Sequence, residues 1–194
     1  MKPALVTLLC AALALALSST HAQSPSSRQE EKATAPDISH TVAASNQDRQ
    51  WQPTAEQQRQ VVRDALTYLT TKDARQFAEA YALFTPSQKS AVSFSRWEAD
   101  MRVFYGGAGA AEGRTLKKVT WYKNPANAPA GIYAAVDFSS QFAELSLHCG
   151  FVAMQMQMDG SFGVAREEEN SISKREMTKL TPEALQRIRA QYRC

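Results

Sequence analysis

The apolar pattern of this chain changes period from 3.6 to 2 at the glycine-rich run Gly106–Gly113. Before it, apolar residues recur at helical spacing; after it, they alternate as in strands. A chain that keeps the two patterns in separate stretches can pack helices on one face of an antiparallel sheet. It does not follow the alternating plan of a parallel α/β sheet.

Thr54 and Gln57 form a capping box behind Pro53, and Val61, Val62, Ala65, Leu66 and Leu69 predict an amphipathic helix over 55–71. Asp73 with Gln76 is a second box. It opens a helix with Phe77, Ala80, Tyr81 and Phe84 on one face, which Thr85-Pro86 stops. Ser95 with Glu98 is a third, ahead of Trp97, Met101 and Phe104 in a helix over about 96–105. The Gly106–Gly113 run lacks the lysine of a phosphate loop and follows a helix, so it is expected to be a flexible connector.

Four strands are expected next. Arg114–Lys123 is rich in β-formers, and Asn124–Gly131 is a turn. Ile132, Ala134, Val136 and Phe138 form a core face, which places Tyr133 and Asp137 on the opposite one. Leu145, Leu147, Cys149 and Phe151 then give way to Val152, Met154, Met156 and Met158; this slip predicts a bulge near Gly150. Asp159-Gly160 marks a hairpin turn before a strand that opens with Phe162 and Val164. Thr181 and Pro182 start a last helix with Leu185, Ile188 and Tyr192 on its apolar side. The fold class is therefore α+β: three N-terminal helices packed on a bent antiparallel sheet of about four strands, plus a C-terminal helix.

The first 22 residues have the build of a secretory signal peptide. Lys2 precedes the apolar run Ala4–Leu17, and Thr20 and Ala22 fit a cleavage site before Gln23. At about 14 residues the run is too short to span a bilayer stably. No stable membrane insertion is expected after cleavage, and the location is periplasmic or secreted. Residues 23–50, rich in Ser, Gln, Ala and Thr with only Ile38 and Val42 as aliphatic β-branched residues, are expected to be a disordered linker. A single domain would then span 51–194. Cys10 lies in the signal segment, which leaves Cys149 and Cys194. In an oxidising compartment they are expected to form one disulfide. Closing a loop of about 45 residues stabilises by roughly 4 kcal/mol in the chain-entropy model.

The net charge of +3, from 22 basic and 19 acidic residues, gives no clustered basic stripe, so nucleic acid is not an expected partner. His148 has no nucleophile elbow to serve and is expected on the surface or at a sheet edge. Met154, Met156 and Met158 predict a methionine-lined core or pocket wall, the alternative being a soft Cu(I) site. Asp137 and Tyr133 would suit a cone-shaped isomerase only if they faced inward. Glu167-Glu168-Glu169 is expected to be a solvated strand end, the alternative being a rim for a cationic partner.

The stretch DALTYLTTKDARQFAEAYALFTP resembles the opening of nuclear-transport-factor-2-like, cystatin-like cone domains. The order FSRWEADMR, GIYAAVDFSSQFA and MQMDGSFGVA resembles the bacterial exported family called domain of unknown function 4019, over about residues 57–166. The C-terminal helix and Cys194 fall outside that pattern. The resemblance implies a cone with a pocket between sheet and helices, and no activity. The candidate pocket lining is Trp97, Met101, Phe104, Val136, Phe138, Met154 and Met156. The sequence calls for no cofactor, metal or catalytic residue. The expected function is an exported, non-enzymatic domain binding a small apolar ligand or a protein partner. The alternatives are a periplasmic immunity or inhibitor protein against a toxin, and an enzyme of the cone-shaped isomerase type.

Overall fold

Capping and periodicity set the first helix. In the computed structural model, which describes residues 38–46, 48, 50–192 and 194, α1 spans Ala55–Asp73 behind the complete Thr54/Gln57 capping box. Its buried stripe is Val61, Val62, Ala65, Tyr68 and Leu69, and Lys72 continues it one turn further. Two short helices follow, α2 (Phe77–Ala82) and α3 (Pro86–Ala91), and then α4 (Phe94–Ala108).

The strands are β1 (Ser39–Val42), β2 (Ala111–Lys123), β3 (Ile132–Phe142), β4 (Leu145–Met156) and β5 (Phe162–Ser173), paired in that order in one sheet. All neighbours are antiparallel except β1, which lies parallel to β2. The short α5 (Lys174–Met177) and the C-terminal α6 (Pro182–Tyr192) close the chain. None of the described helices is long and apolar enough to cross a membrane.

The α+β plan holds, with several corrections. Five strands replace four, because β1 lies inside the segment assigned to the linker 23–50. Its Ile38 is buried, and His40 Nδ1 accepts a 3.0 Å hydrogen bond from Trp121 Nε1. The folded region thus begins before Trp51. The expected signal peptide, 1–22, and residues 23–37 of the expected linker lie outside the described residues. Four N-terminal helices replace three, because Thr85 does not merely stop one helix: its hydroxyl caps the next, accepting from Gln88 N at 3.2 Å. Ser93, not Ser95, caps α4. Asp73 caps nothing; α2 begins at Phe77 behind Gln76, which makes no side-chain cap. Gly106 and Gly107 continue α4, which ends at Gly109 in the left-handed region (φ 80°), so most of the expected connector is regular structure.

The bulges sit where the sequence did not place them. Across β4 and β5 the register jumps from Ala153–Arg166 to Met154–Val164, so Ala165 is the extra residue. A second jump leaves Ser146 extra, and in β2 Lys117 is extra against β3. Nothing slips at Gly150. The second apolar set of β4 faces the other side of the sheet. Gly150 is instead a point of close approach, because a Cβ there would stand 2.0 Å from the Glu168 carbonyl oxygen.

The inner face of the sheet carries Val119, Trp121, Ala134, Val136, Phe138, Val152, Met154 and Val164, packed against the buried stripe of α1 and against Phe77, Phe84 and Trp97. Full burial of a large apolar side chain contributes about 1.5–3 kcal/mol. Trp121 is wholly buried and meets Trp51 and Phe162 edge to face, so its truncation to Ala should cost about 3–5 kcal/mol.

Candidate functional site

Beyond the apolar half of the interior, the same inner face turns polar. Lys72, the last inward position of α1, is completely buried. Its Nζ donates to Glu167 Oε1, and to Glu169 Oε1 at 2.8 Å. The Tyr68 hydroxyl donates to Glu167 Oε2 at 2.6 Å. One residue on from Lys72, Asp73 accepts two bonds from Arg114, at 2.6 Å from Nε and 2.8 Å from Nη2, and a third from the Tyr105 hydroxyl at 2.6 Å. The Arg114 guanidinium stacks over the Phe138 ring, 4.9 Å from its centroid. Helices α1 and α4 are thereby tied to β2 and β5 through charge.

The bulge at Ala165 builds this network. Phe162 and Val164 point inward, and the extra residue then hands the inward positions to Glu167 and Glu169. Without it, Arg166 and Glu168 would face the core. Lys117 acts likewise in β2: Arg114 and Leu116 face inward before it, Val119 and Trp121 after it.

Two cations thus meet three carboxylates in a dry place. Burial pushes the Glu167 carboxyl up, and the neighbouring Glu169 adds to the rise against the pull of Lys72. Burial also opposes ionisation of Glu169, but Lys72, His148 and Arg114 outweigh it and hold that carboxyl at about 2. Burial and the Asp73 carboxylate push the Tyr105 hydroxyl well up.

His148 is not a surface residue. It points inward from β4 against Phe104, Phe138 and Phe142 and is 2% exposed. Its Nε2 lies 3.7 Å from Glu169 Oε1, too long for a hydrogen bond, and neither ring nitrogen has a partner. Burial pushes the imidazole down to about 4, so at neutral pH it is uncharged and the approach to Glu169 is not an ion pair.

The outer face of the sheet is shaped differently. A depression of about 420 Å³ is lined by Asp137, Gly150, Phe151, Arg166, Glu168 and Asn170, with Gln191 and Tyr192 of α6 as one side. A second, of about 220 Å³, shares Asp137, Phe151 and Arg166 with it and extends over Lys118, Thr120 and Tyr122. Arg166 lies over the Phe151 ring, 5.7 Å from its centroid, and pairs with Glu168 at 2.7 Å; Lys118 approaches Asp137 at 3.4 Å.

A family model described as a protein of unknown function, DUF4019, matches residues 64–166, just over half of the chain. The chain belongs to this family. No curated protein and no solved structure matches it. The matched stretch holds Lys72, Asp73, Arg114 and His148 but ends one residue before Glu167. Two carboxylates of the internal network, helix α6 and Cys194 therefore lie beyond the family region.

The residues selected from sequence separate into three groups. Trp97, Val136, Phe138 and Met154 are buried in the core, with Met101, Phe104 and Met156 packed at its margin. Met156 accepts a 3.4 Å contact from Gln57 Nε2, while Met158 lies beyond β4 and is fully exposed, so the three methionines do not share a face. Tyr133 and Asp137 face outward, and the Tyr133 hydroxyl donates to the Pro129 carbonyl at 3.0 Å. Cys149 and Cys194 stand at disulfide distance, Cα atoms 5.7 Å apart, joining the outer face of β4 to the end of α6. The Glu167–Glu169 segment is not a solvated end; the side chains of its first and third residues are only 12% and 15% exposed.

Proposed function

We propose that this chain is an exported, non-enzymatic binding domain that takes a protein segment on the outer face of its sheet. The observation that carries the reading is the depression around Phe151 and Arg166. Aromatic and Arg side chains are the anchors that protein interfaces favour. Here Phe151, Tyr122 and Tyr192 are half-buried beside charges they could exchange with a partner. The interior favours this over a small apolar ligand, because the positions expected to line a pocket pack into or against the core, and the polar end beyond them is occupied by the Lys72 and Arg114 ion pairs. Asp137 beside Lys118 on the outer face supports a binding role over a buried general base. Export is supported by the signal-like residues 1–22 and by the Cys149–Cys194 pair. Helices on the inner face of a five-stranded sheet support the nuclear-transport-factor-2-like reading of the fold.

Site-specific photocrosslinking in exporting cells tests the proposal. A benzophenone side chain at Tyr122 should capture a discrete protein partner, and Arg166→Glu should abolish that capture. The same probe at Arg59 on α1 should capture none. Equal capture at both positions, or capture insensitive to Arg166→Glu, refutes it.

A further inference from the structure

Helix α6 contributes nothing to the core: none of its residues is buried, although Leu185, Ile188 and Tyr192 give it an apolar side. By contrast, α1 buries six residues and α4 three. The last turn of α6 is carried to the outer face of β4, where Cys149 Sγ lies 3.7 Å from the Tyr192 carbonyl oxygen and at disulfide distance from Cys194. Gln191 and Tyr192 then form one side of the depression over Phe151. A thinly packed helix held by a cross-link is a strap, and its stability is that of the link.

The two cysteines differ in exposure. Cys149 is 2% exposed, facing outward between β3 and β5 beneath α6, whereas Cys194 is exposed. Thiol–disulfide exchange needs an unobstructed approach to the sulfur attacked. We propose that Cys194 Sγ is a site of attack for a dithiol reductant, and that reduction there releases α6 as a unit while the sheet stays folded.

The reductant thiolate forms a bond to Cys194 Sγ as the Cys149–Cys194 bond breaks. Cys149 leaves as a thiolate and takes a proton from water. The second thiol of the reductant, deprotonated, attacks the mixed disulfide and displaces the Cys194 thiolate, which is protonated in turn. Two electrons and two protons pass from the dithiol to the pair. The core network of Lys72, Arg114 and the carboxylates faces the other side of the sheet and is untouched. Release removes Gln191 and Tyr192 from the depression and opens the outer face around Phe151. The proposal goes beyond the binding role, because release of α6 is measured without any partner.

The test uses the oxidised full-length secreted protein. Brief exposure to glutathione with acid quenching and peptide mapping should place the mixed disulfide on Cys194; an adduct on Cys149 overturns the assignment. With dithiothreitol, amide exchange over Leu185–Tyr192 and tryptic cleavage after Arg187 and Arg189 should accelerate by roughly tenfold or more, while β3 and β4 amides keep their protection. The variant carrying Cys149→Ser and Cys194→Ser should show the same pattern without reductant. Unchanged protection of α6, or loss of α6 and sheet together, overturns the strap.

Discussion

Arg114 grips Asp73 with two parallel hydrogen bonds, Nε to Oδ2 at 2.6 Å and Nη2 to Oδ1 at 2.8 Å, joining the last residue of α1 to the fourth residue of β2. Arg114 is 4% exposed and Asp73 16%. Two-pronged guanidinium–carboxylate pairs are the strong form of this contact, but their desolvation cost offsets much of the attraction. The pair therefore fixes where α1 ends against the sheet more than it adds net stability.

Breaking one side of it leaves a buried charge without its partner. Arg114→Met should lower unfolding stability in urea by about 3–5 kcal/mol. Adding Asp73→Leu should restore part of that loss, since two apolar side chains leave no charge stranded, less the cost of leaving the Tyr105 hydroxyl without its acceptor. A single-variant loss no larger than that of an exposed pair, about 1 kcal/mol or less, would show the pair to be solvated.

His148 gives the stability curve an acid limb. Its folded value of about 4 lies below the 6.5 of a free imidazole, because burial disfavours the cation. The unfolded chain therefore binds the extra proton first as pH falls, and stability drops between pH 6.5 and 4. The shift corresponds to about 3 kcal/mol over that window. His148→Phe matches the surrounding rings of Phe104, Phe138 and Phe142 and removes two nitrogens that lack partners. It should keep or raise stability at pH 7 and flatten the limb down to pH 4. Glu169, held low by Lys72 and Arg114 as well as by His148, keeps its own contribution above pH 4.5 and loses it below, so a second, smaller limb should survive in the variant. Identical curves for wild type and variant between pH 7 and 4 would place the imidazole in water.

The first helix was legible because its signals are local. Thr54, Gln57 and the Val61–Leu69 stripe lie within a few turns of one another. The expected helix stopped at 71, one residue short of Lys72, which continues the buried side three residues after Leu69. The polar half was not legible, because its parity depends on bulges. No single-strand pattern shows that Ala165 is skipped in the pairing with β4, and without that skip Glu167 and Glu169 read as facing water. Asp73 looked like a cap because Gln76 stands three residues on; its actual partner, Arg114, lies 41 residues away. Strand β1 was hidden by its polar neighbours, although Ile38 and Val42 were its only trace.

Gly150 should tolerate no side chain. A Cβ there would stand 2.0 Å from the Glu168 carbonyl oxygen and 3.0 Å from Glu169 Cα, and both are backbone atoms that cannot swing aside. Gly150→Ala should force β4 and β5 apart beside the Lys72 network and cost more than about 2 kcal/mol, at the upper end of ordinary substitutions. Thermal denaturation measures it, and a melting temperature unchanged from wild type would mean that the strands do not approach so closely.

The methionines should oxidise in order of access. Met158 is fully exposed in the hairpin loop, Met156 is half-buried against Gln57, and Met154 is 1% exposed in the core. Dilute hydrogen peroxide followed by peptide mass spectrometry should convert Met158 first and Met154 last, because sulfoxide formation requires the oxidant to reach the sulfur. Simultaneous oxidation of all three would put them on one open face, as a shared soft-metal site requires.

The His40–Trp121 hydrogen bond ties the first strand to the core. Trp121 has no exposed surface, and its indole N–H is donated to His40 Nδ1 at 3.0 Å. His40→Ala removes the acceptor and leaves that donor buried, at a cost of about 1–3 kcal/mol. His40→Leu restores packing without an acceptor, so it should recover little. Burial already pushes the His40 imidazole down, which keeps Nδ1 free to accept in the folded chain. Protonation would turn that acceptor into a donor facing another donor, so the bond and its contribution should be lost in acid. Urea titration of the two variants at neutral pH checks the size of the effect, and equal stability of wild type and His40→Ala would detach β1 from the fold.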